Sequence, residues 1–209
     1  AILSKEPNVV HFHSFPVKVV GDVHGQFYDL VHMMEKSGLP PRQPYVFLGD
    51  YVDRGNFSTE TLLYLAAMKI SHPNQVVMLR GNHECRVLTS HFNFRQECMR
   101  KYNRTVYNAF LELFQALPLA CVLHSPQGKV LCVHGGISPE LATLVDVENI
   151  NRFQDPCSTG LMCDLLWADP VDQEEVCESN QGFTPNPVRG CSFMFGPKVV
   201  KKFLSENSI

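Results

Sequence analysis

Four polar clusters each follow a short apolar run, and their residue types are those of metal ligands. The clusters are GDVHG (21–25), GDYVDRG (49–55), GNHE (81–84) and HGG (134–136). Together they supply seven side chains with oxygen or imidazole donors: Asp22, His24, Asp50, Asp53, Asn82, His83 and His134. Such donors suit hard or borderline ions, for example manganese, iron and zinc. The clusters therefore predict a metal site if the fold brings them together.

The number of donors favours two ions over one. Asp22 and His24 are two residues apart, so in an extended loop both side chains point the same way and can hold one ion. A carboxylate such as Asp50, placed between the first and third clusters, could bridge to a second ion. Two-metal sites with ions about 3.5–4 Å apart are suited to phosphoryl displacement. The pattern thus favours phosphoryl chemistry.

Each cluster also has an ordinary structural interpretation. Gly-Asp after a strand is most often a βα turn closed by an Asx cap, and Asp53 with Arg54 could form a surface ion pair. Four such clusters at the ends of predicted strands are hard to explain by turn chemistry, so we favour a joint metal site. The other histidines lack a neighbouring cluster, and we expect surface or hydrogen-bonded side chains at His11, His13, His32, His72, His91 and His124.

The segment that positions the first three clusters has a β-α-β-α-β pattern. Three apolar, β-branched runs are typical of strands buried on both faces: PVKVV (16–20), YVFLG (45–49) and QVVMLR (75–80). Helical spacing predicts helices over 26–38, ending at Gly38, and over 58–70, capped by Ser58 or Thr59. Right-handed crossovers make the strands parallel. Their carboxyl ends then meet at the edge where open parallel sheets bind ligands.

The rest of the chain predicts a further layer of sheet and a long surface loop. A helical stretch over about 94–117 precedes two strand-like runs, 119–124 and 129–134, joined by a hairpin turn. Residues 169–190 are polar and proline-bearing and predict a loop, whereas 197–209 predict a helix. Core packing is the simplest role for four aromatic side chains: Phe92, Phe94, Phe110 and Phe114.

Length and composition narrow the functional classes. A chain of 209 residues with 44% apolar residues is expected to form a single globular domain over 1–209. Its net charge of −3 offers no basic field for nucleic acid, and no apolar run approaches the roughly 20 residues that span a bilayer. Eight cysteines without a C-x-x-C pair favour reduced, mostly buried thiols. We expect a soluble, cytoplasmic protein, with the nucleus as a further compartment.

Taken together, GDVHGQF, GDYVDRG, RGNHE and HGG resemble the motifs of the phosphoprotein phosphatases, the metal-dependent serine/threonine phosphatase family. The resemblance runs over nearly the whole chain, through LLWADP to VRGCSFMFG, and ECRVLTSHFNFRQEC is most similar to the calcineurin catalytic subunit. It implies an α/β, metallophosphoesterase-type fold whose βαβαβ core belongs to two packed mixed sheets flanked by helices. It also implies hydrolysis of phosphoserine and phosphothreonine in proteins.

The resemblance assigns the metal ligands residue by residue. Asp22, His24 and Asp50 would hold the first ion. Asp50 would bridge to the second ion and share it with Asn82 and His134. The pair of ions would be iron and zinc, or manganese.

The resemblance also assigns the groups that act on the substrate. Arg54 and Arg189 would clamp the phosphate, a task suited to a planar, permanently charged fork. His83 would protonate the leaving alkoxide, and Asp53 would orient its imidazole. A metal-bound hydroxide would attack phosphorus directly.

The chain departs from the family pattern on its C-terminal side. The family's second metal takes a further histidine downstream of the tail helix, and no histidine follows His134. The final core strands are also missing, as are the segments that bind a calcineurin B-like regulatory subunit and calmodulin. We therefore expect a catalytic domain incomplete at its C-terminus, with phosphoprotein substrates. Two alternatives stay open: a catalytically impaired phosphatase-like binding protein or fragment, and a phosphodiesterase on the same metal core.

Overall fold

The computed structural model describes residues 1–171 and 182–209. These residues form two compact units, each with its own apolar core. The first unit contains Ala1–Glu6 and Ser14–Pro118, and the second contains Pro7–His13 and Leu119–Ile209. The expectation of one domain over the whole chain stays a prediction.

Strands and helices alternate through the first unit and then give way to a mixture of short elements. The strands are β1 (Val9–Phe12), β2 (Lys18–Val20), β3 (Tyr45–Phe47), β4 (Val76–Met78), β5 (Ala120–Ser125), β6 (Gly128–Val133), β7 (Asp169–Pro170), β8 (Phe183–Pro185) and β9 (Phe193–Phe195). The helices are α1 (Phe27–Ser37), α2 (Ser58–Ser71), α3 (Arg86–His91), α4 (Phe94–Lys101), α5 (Arg104–Ala116), α6 (Leu144–Glu148), α7 (Leu161–Trp167) and α8 (Pro197–Glu206).

The first unit is built on the parallel sheet that the sequence predicts. Its strands pair in the order β2-β3-β4, all parallel, with helices α1 and α2 as the crossovers. β3 and β4 are buried along their whole length. β2 is an edge strand among the described residues, and Lys18 and Val19 are exposed. The prediction that this strand is buried on both faces is wrong, since two of its three residues are exposed.

Helix α2 begins where predicted, but its cap comes from another helix. The N-cap residue is Phe57, which makes no side-chain cap, so the prediction of Ser58 or Thr59 as the cap is wrong. The buried carboxylate of Glu97 in α4 accepts the amide N–H groups of Ser58 at 3.2 Å and Thr59 at 2.8 Å. A carboxylate there satisfies amides that lack a helical partner and complements the helix dipole.

The helical stretch predicted over 94–117 is divided in two. Asn103 interrupts it, and its side chain accepts the amide N–H of Val106 at 3.1 Å to cap α5. The aromatic residues Phe94, Phe110 and Phe114 lie in the core of the first unit as predicted. Phe92 does not, since it is 38% exposed.

The second unit contains two mixed sheets. In one, β1 pairs in parallel with β5, and β5 and β6 form the predicted antiparallel hairpin. In the other, the order is β7-β9-β8. Strands β7 and β8 lie within the segment predicted as a loop over 169–190, of which 172–181 lie outside the described residues. Helix α8 ends at Glu206, slightly before residue 209, where the sequence predicted its end.

Two further features concern the compartment and the membrane. Five of the seven cysteines among the described residues are buried, reduced thiols, and Cys177 lies outside the described residues. Among the described helices, none combines the length and apolar character needed to cross a bilayer.

Candidate functional site

The loops that follow β2 and β3 are joined by main-chain hydrogen bonds. The amide N–H groups of Val23 and His24 donate to the carbonyl of Asp50 at 3.0 and 2.9 Å. Gly25 donates to the carbonyl of Tyr51 at 2.9 Å. The first two polar clusters of the sequence are thus fixed to each other by their backbones, before any side chain contributes.

Glycine permits the second and third loops to touch. Gly49 adopts a φ of 111°, and a Cβ atom at this position would overlap the main-chain nitrogen of Gly81. A Cβ atom at Gly81 would in turn overlap the main-chain nitrogen of Asp50. Any other residue at either position would force the loops apart. The carboxylate of Asp50 therefore depends on two glycines for its place beside the third loop.

His24 faces two carboxylates at a distance suited to metal binding. Its Nε2 atom lies 3.4 Å from Oδ2 of Asp50 and 3.6 Å from Oδ2 of Asp22. These separations exceed those of good hydrogen bonds. Two ligand atoms bonded to one ion at about 2.1 Å lie roughly 3–3.4 Å apart. The three side chains therefore fit an ion better than they fit one another.

The tautomer of His24 also suits a ligand. Its Nδ1 atom donates to the carbonyl of Val52 at 2.7 Å, which leaves the lone pair of Nε2 facing the carboxylates. His24 and Asp50 adopt left-handed backbone conformations, with φ of 46° and 55°. Such conformations are costly for residues other than glycine and are concentrated at functional sites. The residues present therefore fit a bound metal ion.

His83 is held on both sides by carboxylates. Its main-chain N–H donates to Oδ1 of Asp50 at 3.0 Å, and its Nδ1 atom is bonded to Oδ2 of Asp53 at 2.7 Å. The other oxygen of Asp53 accepts the N–H of Phe94, the first residue of α4, at 2.9 Å. One nitrogen of His83 lies within 4.8 Å of donor atoms of His24 and Asp50. The imidazole is thereby fixed beside the candidate ligands.

Asp53 does not form the surface ion pair with Arg54 that the sequence left open. Asp53 is fully buried and bonded to His83, whereas Arg54 is exposed. The guanidinium carbon of Arg54 lies 5.5 Å from the ring centroid of Phe92. The same ring lies 4.9 Å from the ring of His83. Phe92, predicted as core, instead contacts two predicted catalytic groups.

Glu84 is a site residue to which sequence reasoning gave no role. Its buried carboxylate accepts the main-chain N–H groups of Asp50 at 2.7 Å, Tyr51 at 2.9 Å and Gly81 at 2.9 Å. Burial, and then the nearby carboxylate of Asp50, raise the pKa of Glu84 to about 8, against the opposing effect of the three amides. Its position in a glycine-containing turn after a buried strand is the sequence feature that could have indicated this role. Asn82, two residues earlier in the same loop, is also buried.

The two remaining predicted residues belong to the second unit. His134 directly follows β6, and Arg189 lies between β8 and β9. Nε and Nη2 of Arg189 donate to the two oxygens of Asp169 at 2.8 and 2.9 Å, and this interaction lowers the pKa of Asp169. Asn186 donates to the same carboxylate at 2.7 Å. The grouping of His134 and Arg189 with the loops of the first unit stays a prediction.

Comparisons with known proteins support the resemblance noted from the motifs. Residues 15–209 match the family model described as calcineurin-like phosphoesterase. In Saccharomyces cerevisiae, the serine/threonine-protein phosphatase 2B catalytic subunits A1 and A2 are 50% and 44% identical to this chain. The alignments cover 99% and 100% of this chain but 38% of each relative.

A solved structure gives the same result for the fold. It is a protein serine/threonine phosphatase from Saccharomyces cerevisiae with similarity to human phosphatase PP5, and it superposes with a TM-score of 0.88 at 38% identity. The superposition covers 99% of this chain and 64% of that one. The predicted α/β metallophosphoesterase fold is confirmed. The chain belongs to the calcineurin-like phosphoesterase family.

Proposed function

We propose that this chain carries the hydrolytic centre of a serine/threonine protein phosphatase of the calcineurin type. The arrangement of His24, Asp50 and His83 supports this most directly, since their donor atoms lie within 4.8 Å of one another at the carboxyl ends of parallel strands. Both yeast relatives are named as catalytic subunits of serine/threonine-protein phosphatases. Phosphoserine and phosphothreonine in proteins are therefore the proposed substrates.

Five side chains would hold the metal ions. Asp22, His24 and Asp50 are proposed for one ion, and Asp50, Asn82 and His134 for a second, with iron, zinc or manganese matching the oxygen and imidazole donors. Ions bound there would supply an acidified water and neutralise charge on the phosphoryl group. A dinuclear centre of this kind is the finer part of the proposal.

His83 is proposed as the general acid. In its protonated state Nδ1–H donates to Asp53, and Nε2–H is the proton available to the leaving oxygen of serine or threonine. An alkoxide is a poor leaving group, so proton delivery matters, and general acid catalysis is typically worth about 10²–10⁴-fold. Asp53 stabilises the imidazolium, and the N–H of Phe94 keeps Asp53 in place.

Arg54 is proposed to bind the phosphate oxygens. Its exposed guanidinium presents a planar fork of donors, which matches the oxygens of a phosphate group in pairs. A phosphate monoester carries up to two negative charges and a diester carries one, so this cation favours the monoester. Arg189, whose fork is already held in a plane by Asp169, is proposed as a second phosphate ligand.

Partners and location follow from the same proposal. A calcineurin B-like regulatory subunit and calmodulin are proposed as partners of the whole protein, because the relatives are catalytic subunits of phosphatase 2B. Buried reduced thiols support a reducing compartment such as the cytoplasm.

The test is phosphate release from a phosphothreonine peptide across a manganese titration. We expect release that saturates with manganese. The same protein should hydrolyse a bis-aryl phosphodiester at least about tenfold less efficiently, because a monoester gains more from the arginine fork. Arg54→Ala should reduce peptide hydrolysis more than diester hydrolysis, whereas Arg42→Ala, at another exposed arginine, should change neither. Folded protein that hydrolyses the diester faster, or releases no phosphate from the peptide, would contradict the proposal.

A further inference from the structure

Three histidines of the second unit meet on neighbouring parallel strands. His11 lies in β1, His13 follows the end of β1 by one residue, and His124 lies in β5. His11 is in register with Val122, two residues before His124, so His11 and His124 point to the same face of the sheet. The expectation of surface or hydrogen-bonded side chains is confirmed, since His11 and His13 are exposed and His11 is hydrogen-bonded to His124.

One ring nitrogen of His11 faces one ring nitrogen of His124 within hydrogen-bonding distance. Nδ1 of His11 lies 2.8 Å from Nε2 of His124, so one nitrogen carries a proton and the other offers its lone pair. Two imidazole nitrogens bound to one tetrahedral ion lie about 3.3 Å apart, given bonds of about 2.0–2.1 Å. Replacing the shared proton by an ion therefore needs the rings to separate by roughly 0.5 Å, which is a small rotation.

His13 lies beside this pair. Its ring stacks on that of His124, with centroids 4.4 Å apart and an interplanar angle of 20°. In this stacked orientation the donor atoms of the three histidines do not lie within 4.8 Å of one another, so His13 must change rotamer to reach a shared ion. The side chain is exposed, so a change of rotamer is fast and meets little resistance. The His-x-His spacing on one strand face permits both rings to reach one ion.

The cluster offers imidazole nitrogens as donors, and a metal ion binds the neutral form of each ring. An all-imidazole set suits zinc, copper and nickel, whereas magnesium, calcium and manganese prefer oxygen ligands.

We propose that His11, His13 and His124 form a binding site for a borderline divalent transition-metal ion, with zinc or copper as the ion. Its ligands are different residues from those of the candidate phosphatase site. An ion held there would link β1 to β5 and would stabilise the folded state according to its affinity and concentration.

The test is equilibrium dialysis of the whole chain against zinc, with the metal content measured by mass spectrometry. The variants are His11→Gln/His124→Gln, His13→Gln, and the matched control His32→Gln/His72→Gln, which removes two other histidines. We expect the wild type and the control to bind one zinc ion more per chain than the His11→Gln/His124→Gln variant. Loss of the third ligand in His13→Gln should weaken this site by about tenfold or more.

Circular dichroism must first show that each variant is folded. A folded His11→Gln/His124→Gln variant that binds as much zinc as the wild type would overturn the proposal. If that variant does not fold, the NMR resonances of the histidine ring nitrogens in the wild type provide the test of zinc binding. Zinc should shift the signals of His11 and His124, and unchanged signals at a zinc excess would overturn the proposal equally.

Discussion

The two units hold the side chains of the candidate site and their partners in different ways. In the first unit, Asp53 and Glu84 are fully buried, and their carboxylates receive main-chain N–H groups as well as, for Asp53, the ring of His83. In the second unit, the side chains of Arg189 and Asp169 are 42% and 34% exposed and form an ion pair. Buried hydrogen-bonded groups are costly to leave without partners, whereas exposed ion pairs are worth about 0–1 kcal/mol.

The difference in burial predicts where substitutions should have large effects. The first unit fixes the direction of each donor through its backbone, so small changes there should have large effects. The exposed pair of Arg189 and Asp169 is in contact with solvent, so loss of this pair should have a small effect on stability. Substitutions of four residues test this order.

Asp53→Asn should have the largest effect. The amide would turn an N–H towards Nδ1 of His83 and favour the wrong tautomer, while its carbonyl could still accept from Phe94. We expect kcat on a phosphothreonine peptide to fall by about 10²–10⁴-fold, the usual size of general acid catalysis. Steady-state kinetics with Asp29→Asn, an exposed acid on α1, as the control would measure this. A kcat within threefold of wild type would show that His83 needs no orienting carboxylate.

Glu84→Gln should have the next largest effect, on stability. One oxygen would remain for the amides of Asp50 and Gly81, but the side-chain NH₂ would face the N–H of Tyr51. The unfavourable pair of donors should lower the free energy of unfolding by about 2 kcal/mol, the cost of an unmet buried hydrogen bond. Urea denaturation at pH 9, above the pKa of about 8 of Glu84, would measure it, with exposed Glu35→Gln as the control. Equal stability of the two variants would mean that the loops do not depend on this carboxylate.

Phe92→Leu should have a smaller effect, confined to binding of the phosphopeptide. Leucine keeps an apolar contact with His83 but removes the aromatic face under Arg54. A cation–π contact at an exposed site is worth about 0.5–1 kcal/mol, so KM for the phosphopeptide should rise about two- to fivefold with little change in kcat. Phe57→Leu is the matched control, since Phe57 lies under Lys101 instead. A large fall in kcat with KM unchanged would instead give Phe92 a role in placing His83.

Asp169→Asn should have the smallest effect on stability, and this effect should disappear at acidic pH. Hydrogen bonds from Arg189 lower the pKa of Asp169 in the folded state. The stabilisation is therefore present above the unfolded pKa of about 3.9 and is lost as the pH falls through the lower folded value. We expect a difference from wild type of at most about 1 kcal/mol at pH 7, which narrows below pH 4. Thermal melts at pH 7 and 3 would measure it. A difference that grows in acid would contradict the pairing.

The sequence predicted those features of the fold that depend on local patterns of residues. Apolar runs and helical spacing gave the β-α-β-α-β order, and glycine-flanked motifs placed three polar clusters at the ends of parallel strands. It could not predict pairings that arise only when distant segments pack. Glu97 caps α2 from another helix, Asp169 binds Arg189 across 20 residues, and His11 meets His124 across 113 residues.

The most direct test is anomalous diffraction from crystals of the chain grown with manganese. If the first unit is prearranged as a metal site, a manganese peak should lie about 2.0–2.3 Å from Nε2 of His24 and from a carboxylate oxygen of Asp50. Nδ1 of His83 should still be bonded to Asp53. A map at saturating manganese with no peak beside His24 and Asp50 would contradict the claim that these loops are shaped to hold an ion.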